Sequence, residues 1–194
     1  MPMFRPDEIL ILSDMDGTLI NAPYPVPEKS CESIRRFGAM GGNFAVATGR
    51  AVDSVRFYTK DVTITAPSIT FNGAVLYDYQ NQKVVWCDPL PKSSANILLG
   101  VKEQFPTVGI ELHLPEKLYS FCFNQYLKDR QDHEGMSYIH ETDPKRVKGD
   151  WCKFLFATGP QLQQEVLNYI GQIAGNDVYF VPTNDRFKIG RAHV

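Results

Sequence analysis

The stretch Ile9-Leu10-Ile11-Leu12-Ser13-Asp14-Met15-Asp16-Gly17-Thr18 constrains the fold more than any other, because four apolar residues run straight into two carboxylates set one residue apart. An unbroken apolar run has no polar face, the pattern of a strand in the middle of a parallel sheet with layers packed on both sides. Its carboxyl end, where open α/β sheets bind ligands, delivers Asp14 and Asp16 into a turn. Two carboxylates this close repel each other. A divalent cation relieves the conflict, and hard oxygen donors favour Mg2+ over softer metals. A single Asp at a strand end more often only caps a turn.

Pro23, Pro25 and Pro27 make the next segment a loop, since they remove donors and forbid helix. Pro27-Glu28-Lys29 starts a helix with acid in its first turn, Ile34 and Phe37 line its inner stripe, and Gly41-Gly42 end it. Residues 43–47 form a second apolar strand that breaks into the polar turn Thr48-Gly49-Arg50. A helix through Val52, Val55, Phe57 and Tyr58 leads to a third strand, 68–71, which ends in Asn72-Gly73. Repeated strand, loop and helix predict a doubly wound parallel α/β sheet, followed by a hairpin of strands 74–77 and 83–86.

At Asp88-Pro89-Leu90-Pro91 the pattern changes. Helix 93–105, strands 108–114 and 118–123, helix 124–133, a polar stretch through Lys148, strand 151–156, helix 161–173 and strand 177–181 predict an α+β sandwich with its own sheet. The expected division is therefore residues 1–87 and 88–188.

With 194 residues, 43% of them hydrophobic and 22% charged, the chain has the composition of a soluble globular protein large enough for an enzyme. No apolar run approaches the roughly 18 residues of a membrane span, so no membrane association is expected. A net charge of -2 without a dense basic run disfavours nucleic acid. The amino terminus lacks the apolar core of a signal peptide, so the expected location is cytoplasmic. Cys31, Cys87, Cys122 and Cys152 form no C-x-x-C pair, and His113, in a strand that alternates apolar and polar residues, has no neighbour that would make it a ligand. Oligomeric state is not legible.

Asp14-Met15-Asp16-Gly17-Thr18 after an apolar strand resembles the first motif of the haloacid dehalogenase superfamily. Ala47-Thr48-Gly49-Arg50 resembles the second motif of its Cof-type branch, which carries a large α/β cap, and Phe71-Asn72-Gly73-Ala74 resembles an Asn-Gly-Ala segment of that branch. The resemblance implies part of a doubly wound core, with an inserted α+β cap. It also implies a Mg2+-dependent phosphatase acting on a small-molecule phosphate ester (a sugar phosphate, nucleotide or cofactor phosphate) through an aspartyl-phosphate. Asp14 would be nucleophile and metal ligand; Asp16 would be general acid and then base, with its backbone carbonyl on the metal. Thr48 would donate its hydroxyl to the phosphoryl group, with Arg50 and Asn72 beside it. Taken alone, Thr48 reads equally as a helix cap, Arg50 as a surface charge and Asn72 as a turn residue.

The chain departs from the superfamily pattern after the expected cap, where a Lys and a Gly-Asp-x-x-x-Asn-Asp string should follow. Gly149-Asp150 and Asn184-Asp185 each lack the rest of that string, and Lys188 lacks the helix expected after the Lys. The end, 189–194, has no periodicity and reads as a frayed terminus; it resembles the translated start of a sequencing-library adapter, so a non-native tail is expected. An incomplete, impaired phosphatase is the leading expectation. The alternatives are a phosphomutase or phosphotransferase of the same superfamily and a non-catalytic Mg2+- or phosphate-binding remnant. The first strand has one evident neighbour, so an exposed apolar edge and poor solubility are expected.

Overall fold

The computed structural model describes residues 5–174, 178–184 and 187–192, and the chain divides into two compact units, Met1–Cys87 and Asp88–Val194. In the first unit, strand β1 (Leu10–Ser13) leads through a proline-rich loop to helix α1 (Glu28–Ala39), strand β2 (Asn43–Val46) and helix α2 (Val52–Tyr58). Strand β3 (Ser68–Thr70) then gives way to a 3-10 turn at Phe71–Gly73 and to the antiparallel pair β4 (Val75–Asp78) and β5 (Lys83–Cys87).

β1 and β2 are parallel, with Ile11 opposite Phe44 and Ser13 opposite Val46. β3 sits beside β2 through a parallel bridge from Ala47 to Ile69, so the ends of β1, β2 and β3 come out on one edge. The core beneath them is built from Met15, Ile20, Phe44, Val46, Val55 and Tyr58. Met15, between the two acids, is fully buried and anchors the turn, accepting amide hydrogen bonds from Thr18, Leu19 and Ile20.

One expectation is corrected here. Leu10, Ile11 and Leu12 are not sandwiched between layers but are 54%, 44% and 47% exposed. β1 hydrogen-bonds to β2 alone and is an edge strand among the described residues. An apolar edge of this kind recruits other strands. The protein is accordingly expected to self-associate with rising concentration in analytical ultracentrifugation, and Leu12→Lys to suppress this; a monodisperse monomer at all concentrations would contradict it.

The second unit contains helix α3 (Ser94–Gln104), strands β6 (Gly109–Leu114) and β7 (Lys117–Phe121), helix α4 (Gln125–Glu134) and the short strand β8 (Ile139–His140). Strand β9 (Lys153–Ala157), helix α5 (Pro160–Ile173) and strands β10 (Val178–Asn184) and β11 (Phe187–Ala192) complete it. The sheet runs β10-β11-β9-β6-β7-β8, antiparallel except where β7 meets β8. α3 and α5 pack Ile97, Leu98, Val101, Val166 and Ile170 onto one face, against Ile110, Leu112, Phe154 and Phe156.

One sequence expectation changes in this unit. Residues 187–192 form β11, which pairs with β9 and β10, so that residues 189–192 of the expected frayed end 189–194 are paired in the sheet. Its partners in β9 lie 30 or more residues upstream, beyond the reach of local periodicity, while those in β10 begin at Asn184, opposite Phe187. Asp177, Asp185, His193 and Val194 lie outside the described residues.

All six residues of β6 are buried, the polar ones of its alternating pattern included. Glu111 and His113 face away from the core of α3 and α5 and are covered by α4 and the segment after it. The Glu111 carboxylate accepts from His113 Nε2 at 2.8 Å, from Arg130 Nε at 2.9 Å, and from the Tyr138 hydroxyl. Burial pushes the His113 pKa down to about 4 against the opposing pull of Glu111. The imidazole is therefore neutral near pH 7 and donates its Nε2 proton to a carboxylate that can only accept.

Candidate active site

The acids leave β1 through a turn that Gly17 makes possible, since its φ of +76° lies in the left-handed region where a Cβ would be strained. The Gly17 amide donates to the Ile20 carbonyl at 2.9 Å and closes the loop. Asp14 and Asp16 both reach solvent on either side of buried Met15. Asp14 Oδ2 accepts from the Thr18 hydroxyl at 3.5 Å, a contact at the limit of hydrogen bonding that leaves the carboxylate accessible.

Asp16 is held far more firmly. Arg50 forks onto it, with Nε to Oδ2 at 2.8 Å and Nη2 to Oδ1 at 2.7 Å. The remaining guanidinium nitrogen, Nη1, donates to Ser54 Oγ at 2.8 Å, and the guanidinium carbon lies 4.4 Å from the centroid of the Tyr58 ring. Ser54 and Tyr58 are buried on α2 and spaced four residues apart, so one helix face backs the Arg50 head while its front meets Asp16. The Arg50 side chain is only 11% exposed, against 54% for Asp16. A bidentate pair anchored on one side restricts the Asp16 carboxylate to one orientation.

The end of β2 is laced to the end of β3. The Thr48 amide donates to the Ile69 carbonyl at 2.9 Å, the Asn72 amide to the Thr48 carbonyl at 3.2 Å, and the Phe71 amide to the Arg50 carbonyl at 3.1 Å. Thr48, nearly buried, accepts the Arg50 amide on its hydroxyl oxygen at 3.2 Å, a side-chain turn that leaves the hydroxyl proton available to donate elsewhere. Asn72 takes the left-handed conformation, with φ of 58°, and Gly49 is glycine because a Cβ there would collide with the Asn72 carboxamide.

The structure thus joins Asp16 to Arg50 directly, Thr48 to Arg50 through the backbone, and Asn72 to the Thr48 turn. It ties Asp14 to Thr18. The sequence reading missed Ser54, Tyr58 and Thr18 as supporting residues; the four-residue spacing of Arg50, Ser54 and Tyr58 into α2 was the available signal.

The donors suit a hard cation. Carboxylate and carbonyl oxygens are the ligands Mg2+ takes, and it commonly binds one or two protein carboxylates while keeping water and substrate oxygens. Among the described residues no third His, Cys, Asp or Glu joins Asp14 and Asp16 in a cluster.

The sequence profile of the haloacid dehalogenase-like hydrolases matches residues 11–190. The chain belongs to this family. Family relatives include pyridoxal phosphate phosphatase YbhA of Escherichia coli, 30% identical over 101 residues, which cover 52% of this chain and 37% of that protein. Another is the 5-amino-6-(5-phospho-D-ribitylamino)uracil phosphatase YitU of Bacillus subtilis, 25% identical over 123 residues, covering 62% of this chain and 45% of that protein. The chain therefore spans less than half the length of either.

The haloacid dehalogenase fold is equally plain. A haloacid dehalogenase-like hydrolase from Bacteroides thetaiotaomicron superposes with a TM-score of 0.84 at 14% identity, over 95% of this chain and 71% of its own. A Thermotoga maritima crystal structure superposes with a TM-score of 0.80 at 21% identity, over 98% of this chain and 70% of its own. Among the described residues no helix is long and apolar enough to cross a membrane.

Proposed function

We propose that the chain carries the nucleophile half of a Mg2+-dependent phosphatase of the Cof type, acting on small phosphorylated metabolites. The observation that carries this reading is the contrast at the end of β1: an accessible, weakly held Asp14 carboxylate beside an Asp16 carboxylate clamped by Arg50. A nucleophile must be free to reach phosphorus, whereas an acid/base must be held to one line of approach. The names of the curated relatives, phosphatases for a cofactor phosphate and for a phosphorylated ribityl compound, support the substrate class.

An Asp14 carboxylate oxygen attacks phosphorus, and the bond from phosphorus to the ester oxygen breaks. Asp16, protonated on one oxygen as Arg50 shifts off it and stays on the other, gives that proton to the departing alkoxide. In the second half Asp16 takes a proton from water as that water attacks the aspartyl-phosphate, which frees phosphate and restores Asp14. The Thr48 hydroxyl, accepting from the Arg50 amide, donates its own proton to a phosphoryl oxygen, and Asn72 borders the same site. Mg2+, held by the Asp14 carboxylate and the Asp16 backbone carbonyl, would neutralise charge on the phosphoryl group.

A non-catalytic Mg2+- or phosphate-binding remnant is the second reading, favoured by the lack of a third acidic ligand among the described residues. The separating experiment measures phosphate release from p-nitrophenyl phosphate and from a sugar phosphate, with Mg2+ and with EDTA. Release that requires Mg2+ supports the phosphatase. No release with retained binding of inorganic phosphate supports the remnant.

The Arg50 clamp gives a sharper expectation. Arg50→Lys should lower kcat/KM for an alkyl phosphate by about a hundredfold, the usual contribution of a positioned general acid, and by only a few-fold for p-nitrophenyl phosphate. A nitrophenolate leaves without protonation, so it does not need an oriented Asp16. Equal losses on both substrates would instead make Arg50 a phosphoryl-binding group.

A further inference from the structure

The second unit holds a cavity of about 660 Å3, well separated in sequence from the acids of β1 and walled by two segments, 89–95 and 144–151. The segments are stitched together where the Leu90 amide donates to the Trp151 carbonyl at 2.5 Å. Leu90, Pro144 and Val147 are buried and form an apolar floor, beside which the indole of Trp151 is half-buried. The indole packs against the core of the unit, and its Nε1 donates to the Val147 carbonyl at 3.4 Å.

The rim is cationic. Lys92, Lys145 and Lys148 line the cavity from exposed positions, against one acid, Asp150. Among the described residues none of the three lysines is ion-paired, whereas neighbouring Arg146, absent from the lining, lies 3.9 Å from Glu141 and 4.0 Å from Asp143. Lys148 Nζ donates to the Lys145 backbone carbonyl at 3.1 Å, which holds the Lys148 ammonium at the 144–151 wall of the opening. Pro89, Pro91 and Pro144 stiffen both walls, which lowers the ordering cost of a ligand entering between them.

An apolar floor, an aromatic side chain and a small set of like charges define a ligand with a flat apolar body and an anionic end. Three lysines against one aspartate suit a dianion. We infer that this cavity is a binding site for an aromatic phosphate of the nucleoside monophosphate type, with the base on the Trp151 side and the phosphate among Lys92, Lys145 and Lys148. The site is built wholly from the second unit and does not depend on the phosphatase reading.

Trp151 is also the probe, since the chain has two tryptophans and Trp86 is exposed on β5. In the full chain carrying Trp86→Phe, titration with AMP is expected to change Trp151 fluorescence saturably. Adenosine, lacking the phosphate, and a Lys92→Ala, Lys145→Ala, Lys148→Ala triple variant should each bind about tenfold more weakly or worse, the cost of losing charge-assisted hydrogen bonds. Raising the salt concentration should weaken AMP binding too. Asp14→Asn should leave it unchanged. Three results would overturn the proposal: no saturable change with AMP, binding indifferent to the lysines, or binding lost with Asp14→Asn, which would put the ligand at the acids of β1. The lysines are exposed, and a circular dichroism spectrum matching the parent confirms that the triple variant is folded.

Discussion

Asp14→Asn is expected to cut Mg2+-dependent phosphate release by at least about a thousandfold, the scale seen when a covalent nucleophile is removed. The substitution is nearly isosteric and replaces a carboxylate oxygen that can attack phosphorus with an amide that cannot. Stability should barely change, because Asp14 is exposed and its described side-chain contact is the 3.5 Å approach of Thr18. Surface substitutions of this kind usually stay within about 0.5 kcal/mol. The measurement pairs the assay with a thermal melt. A dead variant with an unshifted melt supports Asp14 as nucleophile, and a variant that keeps its activity removes it from that role.

Glu111→Gln should have the largest effect on stability. The Glu111 carboxylate is fully buried and receives Arg130, His113 and Tyr138, so its neutralisation strips the buried Arg130 guanidinium of that charged partner. Breaking such a pair from one side costs about 3 kcal/mol, or on the order of 10 °C in melting of the second unit. An unchanged midpoint would contradict this.

The same cluster makes the unit acid-sensitive. Neutral burial lowers the His113 pKa from 6.5 to about 4, so between those values the unfolded chain takes up a proton that the folded chain refuses. Stability is lost as pH falls through that window. For Glu111, burial alone would raise the pKa, but Arg130, His113 and Tyr138 outweigh it and hold it at about 2. Its contribution is present above the unfolded value of 4.5 and drains away as pH falls from there toward 2. Melting temperatures from pH 7 down to pH 4 should therefore fall more in the parent protein than in His113→Phe, which has no imidazole to titrate.

What was legible in the sequence was local. The apolar run into Asp14 and Asp16, the start of α1 after Pro27, and the turns at Thr48 and Asn72 each announce themselves within a few residues, and all are present. What was not legible depends on distant partners. The Arg50 clamp on Asp16 spans 34 residues, and its backing by Ser54 and Tyr58 becomes meaningful only once β1 and β2 lie side by side. The alternation around Glu111 and His113 gives no sign that α4 will cover the polar face, because that cover comes from Arg130 and Tyr138 further along the chain. β11 owes its place in the sheet to pairing with both β10 and the distant β9. The exposure of β1 is likewise a matter of neighbours rather than of its own composition.

The most direct test of the central claim is to look for the phosphoryl group on Asp14 itself. The protein is incubated with Mg2+ and a radiolabelled acyl phosphate, quenched in acid and digested, and the label is mapped by mass spectrometry. A hydroxylamine-labile label on Asp14, absent from Asp14→Asn, is the expected result. Phosphate release without that label, a label on another residue, or neither release nor label would contradict it.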